Sequence, residues 1–236
     1  VYEGRTHEAN VDDKEGADKK FQDVFKDYNV GEQIEILAYG TKRAYLESEE
    51  TIQEKAKDML KHYVEHVFAN GYKAQVVSVS KEAAHRYKKA FDIAKAELLE
   101  ELKTENPYKV TIEALEKLET AVVISDVNHN DQPDLKQYAD SKARKLSIAG
   151  FKLKFGRTEK LEGSSDEQAN GNIGILIVVD MLLTGFDAPI EQVMYLDKVI
   201  VNHNLLQAIA RVNRVYDDEK KVSIVVDYVG MENHMK

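Results

Sequence analysis

The chain has 236 residues, of which 43% are hydrophobic, and carries a formal net charge of −9 at pH 7. This length suits one large domain or two small ones, and the negative charge excludes a generally basic coat for nucleic acid while permitting a few local phosphate contacts. The absence of cysteine excludes a disulfide scaffold and a cysteine-ligated zinc site, and it fits a reducing compartment.

The sequence shows neither a membrane span nor a secretion signal. Its longest apolar run, at 175–179, is far shorter than the ~20 residues that cross a bilayer, and no signal-peptide pattern opens the chain. We therefore predict a cytoplasmic location and no membrane partner. The sequence starts without Met, inside the strand-like segment Val1–Arg5, so we expect a piece of a longer protein.

The first part of the chain predicts mainly helices. Val11–Val30 is polar and acidic, with apolar residues at helical spacing. Ser48–Phe68 predicts a long helix in which Ser48 is the N-cap. The buried stripe of that helix consists of Ile52, Met59, Tyr63 and Val67.

Strands and helices then alternate. Lys73–Ser80 is a valine-rich strand, and Lys81–Lys103 and Thr111–Glu119 are helical segments that lead into a strand at Ala121–Ser125. This strand–helix–strand order favours an α/β fold with parallel strands and right-handed crossovers.

The segment 128–172 is polar, with a possible helix at Leu135–Ile148 and a local run of basic residues. We favour a solvated surface insertion, and the alternative is a patch that faces DNA. The basic residues are Lys142, Arg144, Lys145, Lys152, Lys154, Arg157 and Lys160.

Three further strands are predicted in the last part of the chain. Ile173–Val179 is a continuous apolar run, which is typical of a strand covered on both faces. Gln192–Leu196 and Val222–Asp227 supply the other two. Because no repeat or low-complexity linker interrupts the chain, we predict a single α/β domain.

Two metal-binding patterns are interpreted as coincidental. His62 and His66 fit H-x-x-E-H, but we place both on the solvated polar side of an amphipathic helix. The segment after Asp126 resembles the start of a calcium loop, yet Asp131 and Gln137 stand where glycine and glutamate are required. We predict no metal site.

The sequence also contains no GxxxxGK[ST] phosphate loop, no GxSxG elbow and no GxGxxG after a strand.

A helix that starts near Asn204 is predicted to have two distinct faces. Its apolar stripe is Leu205, Ile209, Val212 and Tyr216. Gln207, Arg211 and Arg214 follow one another at i, i+4 and i+7, on a side rotated by about 200°. Spacing alone favours an exposed polar face. Two guanidinium groups on one rigid face would also suit a phosphate group.

Small and polar residues follow two of the strands, and we expect them to lie beyond the carboxyl ends, where open α/β sheets bind ligands. Thr184 could donate to a phosphate, Gly185 allows close backbone approach, and Asp187 could accept from a ribose hydroxyl or an arginine. Ser78 and Ser80 end another strand at a helix N-terminus, which can take a phosphate. A plain loop is the alternative.

Three segments together resemble the second RecA-like motor domain of superfamily two helicases. KAQVVSVSKEAAHRY is similar to motif IV, VVDMLLTGFDAP to motif V and QAIARVNR to motif VI. Together with YEGR at the start and IVVDYVG at the end, these motifs make the sequence resemble the R (motor and nuclease) subunit of type I restriction enzymes.

The resemblance implies a RecA-like three-layer domain with a mainly parallel sheet and helical elaborations. Its parts are a lead-in strand and helices (1–72), a motif IV half (73–127), the polar insertion (128–172), a motif V and VI half (173–230) and a tail (231–236).

The resemblance also implies roles for individual residues. Arg214, together with Arg211, would be an arginine-finger pair for the γ-phosphate of ATP, which a first motor domain holds with Mg²⁺. Gln207 would sense or position the nucleotide at that interface. Gly185 and Asp187 would couple the nucleotide state to DNA. The implied DNA-backbone contacts are Ser78, Ser80 and Thr184.

The chain is therefore expected to be half of an ATP-dependent DNA translocase motor, inactive alone because the phosphate loop and any nuclease motif are missing from the sequence. The implied partners are double-stranded DNA, the first motor and nuclease domains of the parent chain, and the methylation and specificity subunits. Ala210 replaces the usual glycine of motif VI, and 128–172 matches no named motif. The alternatives are the motor lobe of a type III restriction or DNA repair helicase, and a non-catalytic RecA-like scaffold.

Overall fold

The structure is a computed structural model, and it describes residues 2–4, 40, 42–129, 131–161, 167–183, 186–200, 206–207, 209–210, 212–214, 216–217, 220 and 222–229. The predicted helix at Val11–Val30 lies outside the described residues.

Eight strands are present in this part of the chain. They are β1 (Tyr2–Gly4), β2 (Lys73–Ser78), β3 (Glu119–Val123), β4 (Thr158–Lys160), β5 (Gln168–Asn170), β6 (Ile173–Val178), β7 (Glu191–Asp197) and β8 (Ile224–Asp227). Six of them form one parallel sheet in the order β1–β8–β7–β2–β6–β3, and β4 pairs with β5 in a separate antiparallel ribbon. In the central register, Val76 lies opposite Ile177 of β6 and Tyr195 of β7. The predicted parallel α/β sheet is confirmed.

Four helices have complete bounds among the described residues. They are α1 (Glu49–His66), α2 (Lys81–Thr104), α3 (Ile112–Lys117) and α4 (Ser141–Lys152), with 3-10 turns at Phe68–Asn70 and Pro133–Tyr138. Each helix follows a polar N-cap residue, which can satisfy a first-turn backbone N–H group, although Ser48 before α1 makes no such side-chain bond. The side chains of Ser80, Thr111 and Asp140 accept from backbone N–H groups in the first turns of α2, α3 and α4. The cap at Asp140 explains why the single helix predicted at Leu135–Ile148 is wrong, since a new helix starts after it.

The sheet lies between two layers. α1 and α2 cover one face, where Tyr63 and Tyr87 pack with strand residues such as Val76. The other face is covered by α4, by the segment that connects β6 to β7, and by a short helix whose described residues are 206–207, 209–210 and 212, called here the C-terminal helix. The fold is thus a three-layer α/β arrangement.

The segment 128–172 takes part in these layers. Phe151 of α4 is fully buried against the sheet, and Leu135 joins the core on the α1 and α2 side. Several basic residues of the segment are exposed, among them Lys145, Lys152 and Lys160. These lysines are therefore accessible from solvent, whereas the apolar residues of the segment belong to the core.

His62 departs from the sequence interpretation. It is 4% exposed, and its Nδ1 lies 2.8 Å from the hydroxyl of Tyr195 on β7, whereas His66 is exposed. Because α1 packs against both the sheet and α2, its apolar surface is wider than the predicted stripe. Among the described residues, no cluster of His, Cys, Asp and Glu is suited to a metal ion. No helix in this part of the chain is long and apolar enough to cross a bilayer.

Candidate nucleotide and DNA site

The crossover segment, residues 179–190, connects β6 to the parallel strand β7. It leaves β6 at the carboxyl edge of the sheet and must return to the amino edge, because parallel strands require such a crossover. Leu183, Phe186 and Ala188 are buried on the second face along this path. Ile190 reaches the amino edge, where its carbonyl accepts from the backbone N–H of Lys73 at 3.2 Å.

Asp187 consequently lies near the start of β7, and the expectation that it sits beyond the carboxyl ends is wrong. The physical reason is the direction of the crossover, which carries the second half of the segment away from the carboxyl edge. Thr184 and Gly185 lie outside the described residues.

Arg214 and Asp187 form an ion pair. Arg214 Nη1 donates to Asp187 Oδ1 at 2.6 Å, and the two side chains are 48% and 55% exposed. Of the two partners predicted for Asp187, a ribose hydroxyl or an arginine, the structure contains the arginine. A pair with this much exposure contributes roughly 0–1 kcal/mol, so the guanidinium can exchange the carboxylate for another anion at little cost.

The C-terminal helix ends earlier than the sequence spacing implies. Val212 is buried and Gln207 is half-buried, but Arg214 follows the last helical residue. Arg214 therefore does not lie on the predicted rigid helical face, because the helix ends before that residue. Tyr216, predicted in the apolar stripe, instead packs edge-on against Tyr72 with ring centroids 6.3 Å apart. Arg211 lies outside the described residues.

Lys220 is a member of this site that the sequence did not single out. Its ammonium group donates to the carbonyls of Pro189, Val212 and Arg214. It thereby joins the crossover segment to the end of the C-terminal helix. The surrounding letters DDEKK are typical of a solvated loop, so no local signal distinguishes this lysine.

The two serines lie at the carboxyl end of β2. Ser78 is 0% exposed, and its hydroxyl lies within hydrogen-bonding distance of the carbonyls of Val178 at 2.9 Å and Ser80 at 3.3 Å. The Ser80 hydroxyl accepts from Ala83 N at 3.1 Å and caps α2. Both hydroxyls are engaged within the protein, and the amino edge that holds Arg214 is at the opposite end of the strands.

Another polar cluster at the carboxyl edge is closed to solvent. Asp197, the last residue of β7, accepts from Lys55 Nζ at 2.6 Å and from the Tyr87 hydroxyl at 2.7 Å. Burial raises the pKa of Asp197, while Lys55 acts in the opposite direction. Because all three side chains are buried, this cluster joins α1, α2 and the sheet instead of binding a ligand.

Lysines of 128–172 approach the site from the α4 side. Lys152 Nζ lies 5.2 Å from the ring centroid of Phe186 in the crossover segment, and Lys154 Nζ lies 5.8 Å from that of Tyr216. Lys145 and Lys152 also line an open cavity of about 400 Å³ along α4. The exposed positive charge of this segment is therefore contiguous with the crossover segment.

Comparison with known proteins gives the family. Residues 70–230 match the family model described as type I restriction enzyme subunit R domain 3. The chain belongs to this family. It is thus a helicase-related domain of type I restriction enzyme R subunits.

Individual relatives agree with this assignment. The chain is 37% identical over 161 residues to a protein of Methanocaldococcus jannaschii named as the type I restriction enzyme MjaVIIP endonuclease subunit, a match that covers 68% of this chain and 13% of the relative. It is 49% identical over 69 residues to the type I restriction enzyme HindI endonuclease subunit of Haemophilus influenzae, covering 28% of this chain and 6% of the relative. The chain therefore corresponds to a small part of these subunits.

A solved structure shares the fold. It is a fragment of a protein described as an HsdR subunit of a type I restriction enzyme from Vibrio vulnificus YJ016, with a TM-score of 0.50 and 17% identity. The match covers 83% of this chain and 30% of that chain. Together with the parallel sheet between two layers, this likeness confirms the predicted RecA-like fold class.

Proposed function

We propose that this domain is one half of the ATP-dependent DNA translocase motor of a type I restriction R subunit. In this proposal Arg214 is an arginine finger that reaches the γ-phosphate of ATP held by a first motor domain. The observation that carries the proposal is the position of Arg214. Its guanidinium is half exposed and weakly paired with Asp187, while its backbone is fixed from inside the protein.

The donor chemistry of Arg214 fits a phosphate group. A guanidinium offers a planar fork of N–H donors that matches phosphate oxygens, and it keeps its charge at any physiological pH. On closure of the two motor domains, Arg214 would exchange Asp187 for the γ-phosphate. It would then stabilise the negative charge that develops during phosphoryl transfer.

The phosphate loop and the Mg²⁺ ligands would come from the first motor domain. Mg²⁺ there would neutralise charge between the β- and γ-phosphates. Arg211 would add a second donor and Gln207 would orient the nucleotide. Asp187 and Gly185 would transmit domain closure to the DNA through the crossover segment. The chain alone would then hydrolyse no ATP and cut no DNA.

DNA contact is proposed for the carboxyl edge of the sheet. The amino end of α2 follows β2 there, and a helix N-terminus attracts phosphate through its backbone N–H groups and its dipole. Ser80 would contribute by holding the first turn of α2 in place, and Thr184 is proposed as a further contact to the DNA backbone. Ser78, whose hydroxyl is buried and engaged, would act by holding β2 to β6. Contacts of this kind are independent of base sequence, as translocation requires.

The proposed partners are those of the whole complex. They are double-stranded DNA, the first motor and nuclease domains of the parent chain, and the methylation and specificity subunits of the restriction enzyme. A cytoplasmic location follows from the same proposal.

Arg214→Ala in the full-length R subunit tests this function. We expect DNA-stimulated ATP hydrolysis and translocation to fall by about 10³-fold or more, with DNA affinity nearly unchanged. Arg43→Ala is the matched control, because Arg43 is also half exposed and pairs with a carboxylate, Glu47, at 3.0 Å. Unchanged ATP hydrolysis in Arg214→Ala would contradict the motor and favour a non-catalytic RecA-like scaffold.

A further inference from the structure

Lys220 lies between Arg214 and β8, and its side chain is almost entirely inside the protein, with 7% exposed. Its Nζ atom lies 2.6 Å from Pro189 O, 2.9 Å from Val212 O and 2.8 Å from Arg214 O. An ammonium group has three hydrogens to donate. The three carbonyls therefore use the full donor capacity of Lys220.

The three carbonyls belong to separate pieces of the site. Pro189 lies in the crossover segment two residues after Asp187, and Val212 is the last helical residue of the C-terminal helix. Carbonyls at a helix end have no partner within the helix, and a cation placed there is favourable. Ser223 also donates to Val212 O, at 2.6 Å, so this helix end is held from two directions.

Arg214 depends on such a restraint because it lies beyond the helix. Its backbone carbonyl is held by Lys220, while its side chain extends to Asp187. Burial of an ammonium group is unfavourable unless acceptors compensate it. Lys220 meets this condition by binding the backbone of both segments that carry the ion pair.

We propose that Lys220 is the positioning residue of the arginine finger. It fixes the backbone of Arg214 to the segment that carries Asp187, and it thereby sets the direction in which the guanidinium projects. The inference rests on the proposed role of Arg214. Lys220 itself touches no nucleotide.

Steady-state ATP hydrolysis by the full-length R subunit with DNA tests the proposal. We expect Lys220→Met to lower kcat by about 10- to 100-fold, because a misplacement of ~1 Å at a catalytic group can have an effect of that size. KM for ATP should change by less than about threefold, since the lost interaction is made in the transition state. Lys220→Met fills a similar volume but donates no hydrogen bond.

Lys73→Met is the matched control. Lys73 is also a buried lysine, and its ammonium group donates to the carbonyls of Gly150 at 3.1 Å and Gly171 at 2.8 Å. These carbonyls belong to the α4 and β5 region, so Lys73→Met removes a comparable internal bond without touching the backbone of Arg214. We expect it to lower thermal stability and leave kcat within about twofold of wild type.

A double variant separates positioning from general destabilisation. If Lys220 acts through Arg214, adding Lys220→Met to Arg214→Ala should cause no further loss of residual kcat. If the reductions in kcat of the two single variants multiply in the double variant, the proposal is overturned. An equal kcat in Lys220→Met and Lys73→Met would also overturn it. An unchanged kcat in Arg214→Ala alone would instead contradict the proposed function.

Lys220→Gln keeps the test decisive if Lys220→Met does not fold. Glutamine has two amide hydrogens, so at most two of the three carbonyls keep a donor. We expect an intermediate kcat, together with faster amide hydrogen exchange at residues 206–217 but not at 73–78. Wild-type exchange in 206–217 together with wild-type kcat would contradict the positioning role.

Discussion

Glu191 carries a buried carboxyl group at the first position of β7, close to Lys220. Burial raises its pKa from 4.5 to about 8, and the charge of Lys220 acts in the opposite direction. The folded state therefore favours the protonated carboxyl near neutral pH, whereas the unfolded chain ionises it near pH 4.5. Protonation of Glu191 therefore stabilises the folded state fully below about pH 4.5, and this stabilisation is lost as the pH rises towards 8.

Replacing Glu191 should make stability less dependent on pH. We expect the free energy of unfolding of Glu191→Gln to rise relative to wild type between about pH 5 and 8, by up to about 1.4 kcal/mol for each unit of pKa shift. Urea denaturation of both proteins at several pH values measures this difference. Lys73, whose pKa burial lowers to about 7, titrates in both proteins and cancels. A difference that stays constant with pH would refute the shifted carboxyl.

Lys55 and Lys57 allow a direct comparison of a buried and an exposed ion pair on one helix. Lys55 pairs with Asp197 inside the protein, and Lys57 pairs with Glu97 at 2.9 Å in solvent. Lys55→Met leaves a buried carboxylate without its cation, so we expect the free energy of unfolding to fall by about 3–5 kcal/mol. Lys57→Met should lower it by less than about 1 kcal/mol. Equal effects in urea denaturation would contradict the structural role of Asp197.

At the scale of elements, α4 gives the polar segment 128–172 a definite place. The helix buries Phe151 against the sheet while exposing Lys145 and Lys152 beside the crossover segment. Exposure at this place is compatible with a solvated surface and with the DNA-facing alternative, so the two are separated by experiment.

Lys145→Gln with Lys152→Gln tests that alternative in the full-length R subunit. If both lysines contact phosphates, DNA affinity should fall for all sequences, and the slope of log K against log salt concentration should decrease by about 1.8. Lys57→Gln with Lys61→Gln is the control, because these exposed lysines lie on α1, across the sheet. An unchanged slope in the Lys145→Gln, Lys152→Gln variant would show that these lysines contact solvent and not DNA phosphates.

Local patterns predicted most of the elements and failed where long-range geometry decides. A continuous apolar run identified β6, and Ser48 was correctly placed at the start of α1. The interruption at Asp140 was missed because an internal cap resembles any exposed aspartate. Arg214 fell outside the helix because helix ends depend on neighbours, here Lys220 and Ser223, which spacing does not include.

At the scale of the whole molecule, the candidate residues lie at two opposite edges of the sheet. The amino edge holds Arg214, Asp187 and Lys220, and the carboxyl edge holds the start of α2 and the closed Asp197 cluster. Asp187 was expected at the carboxyl edge because local sequence cannot follow the crossover segment back across the sheet. A two-edge domain suits a motor half, since nucleotide and DNA can be contacted at separate places and coupled through the crossover segment.

The central claim is that Arg214 stabilises the transition state of an ATPase site that another domain completes. Its most direct test is the affinity of the full-length R subunit, with Mg²⁺ and DNA, for ADP–aluminium fluoride relative to ADP. Transition-state analogues bind at least about 10²-fold more tightly than ground-state ligands. We predict that Arg214→Ala removes most of this preference while leaving ADP affinity unchanged. An undiminished preference for ADP–aluminium fluoride in Arg214→Ala would contradict the account.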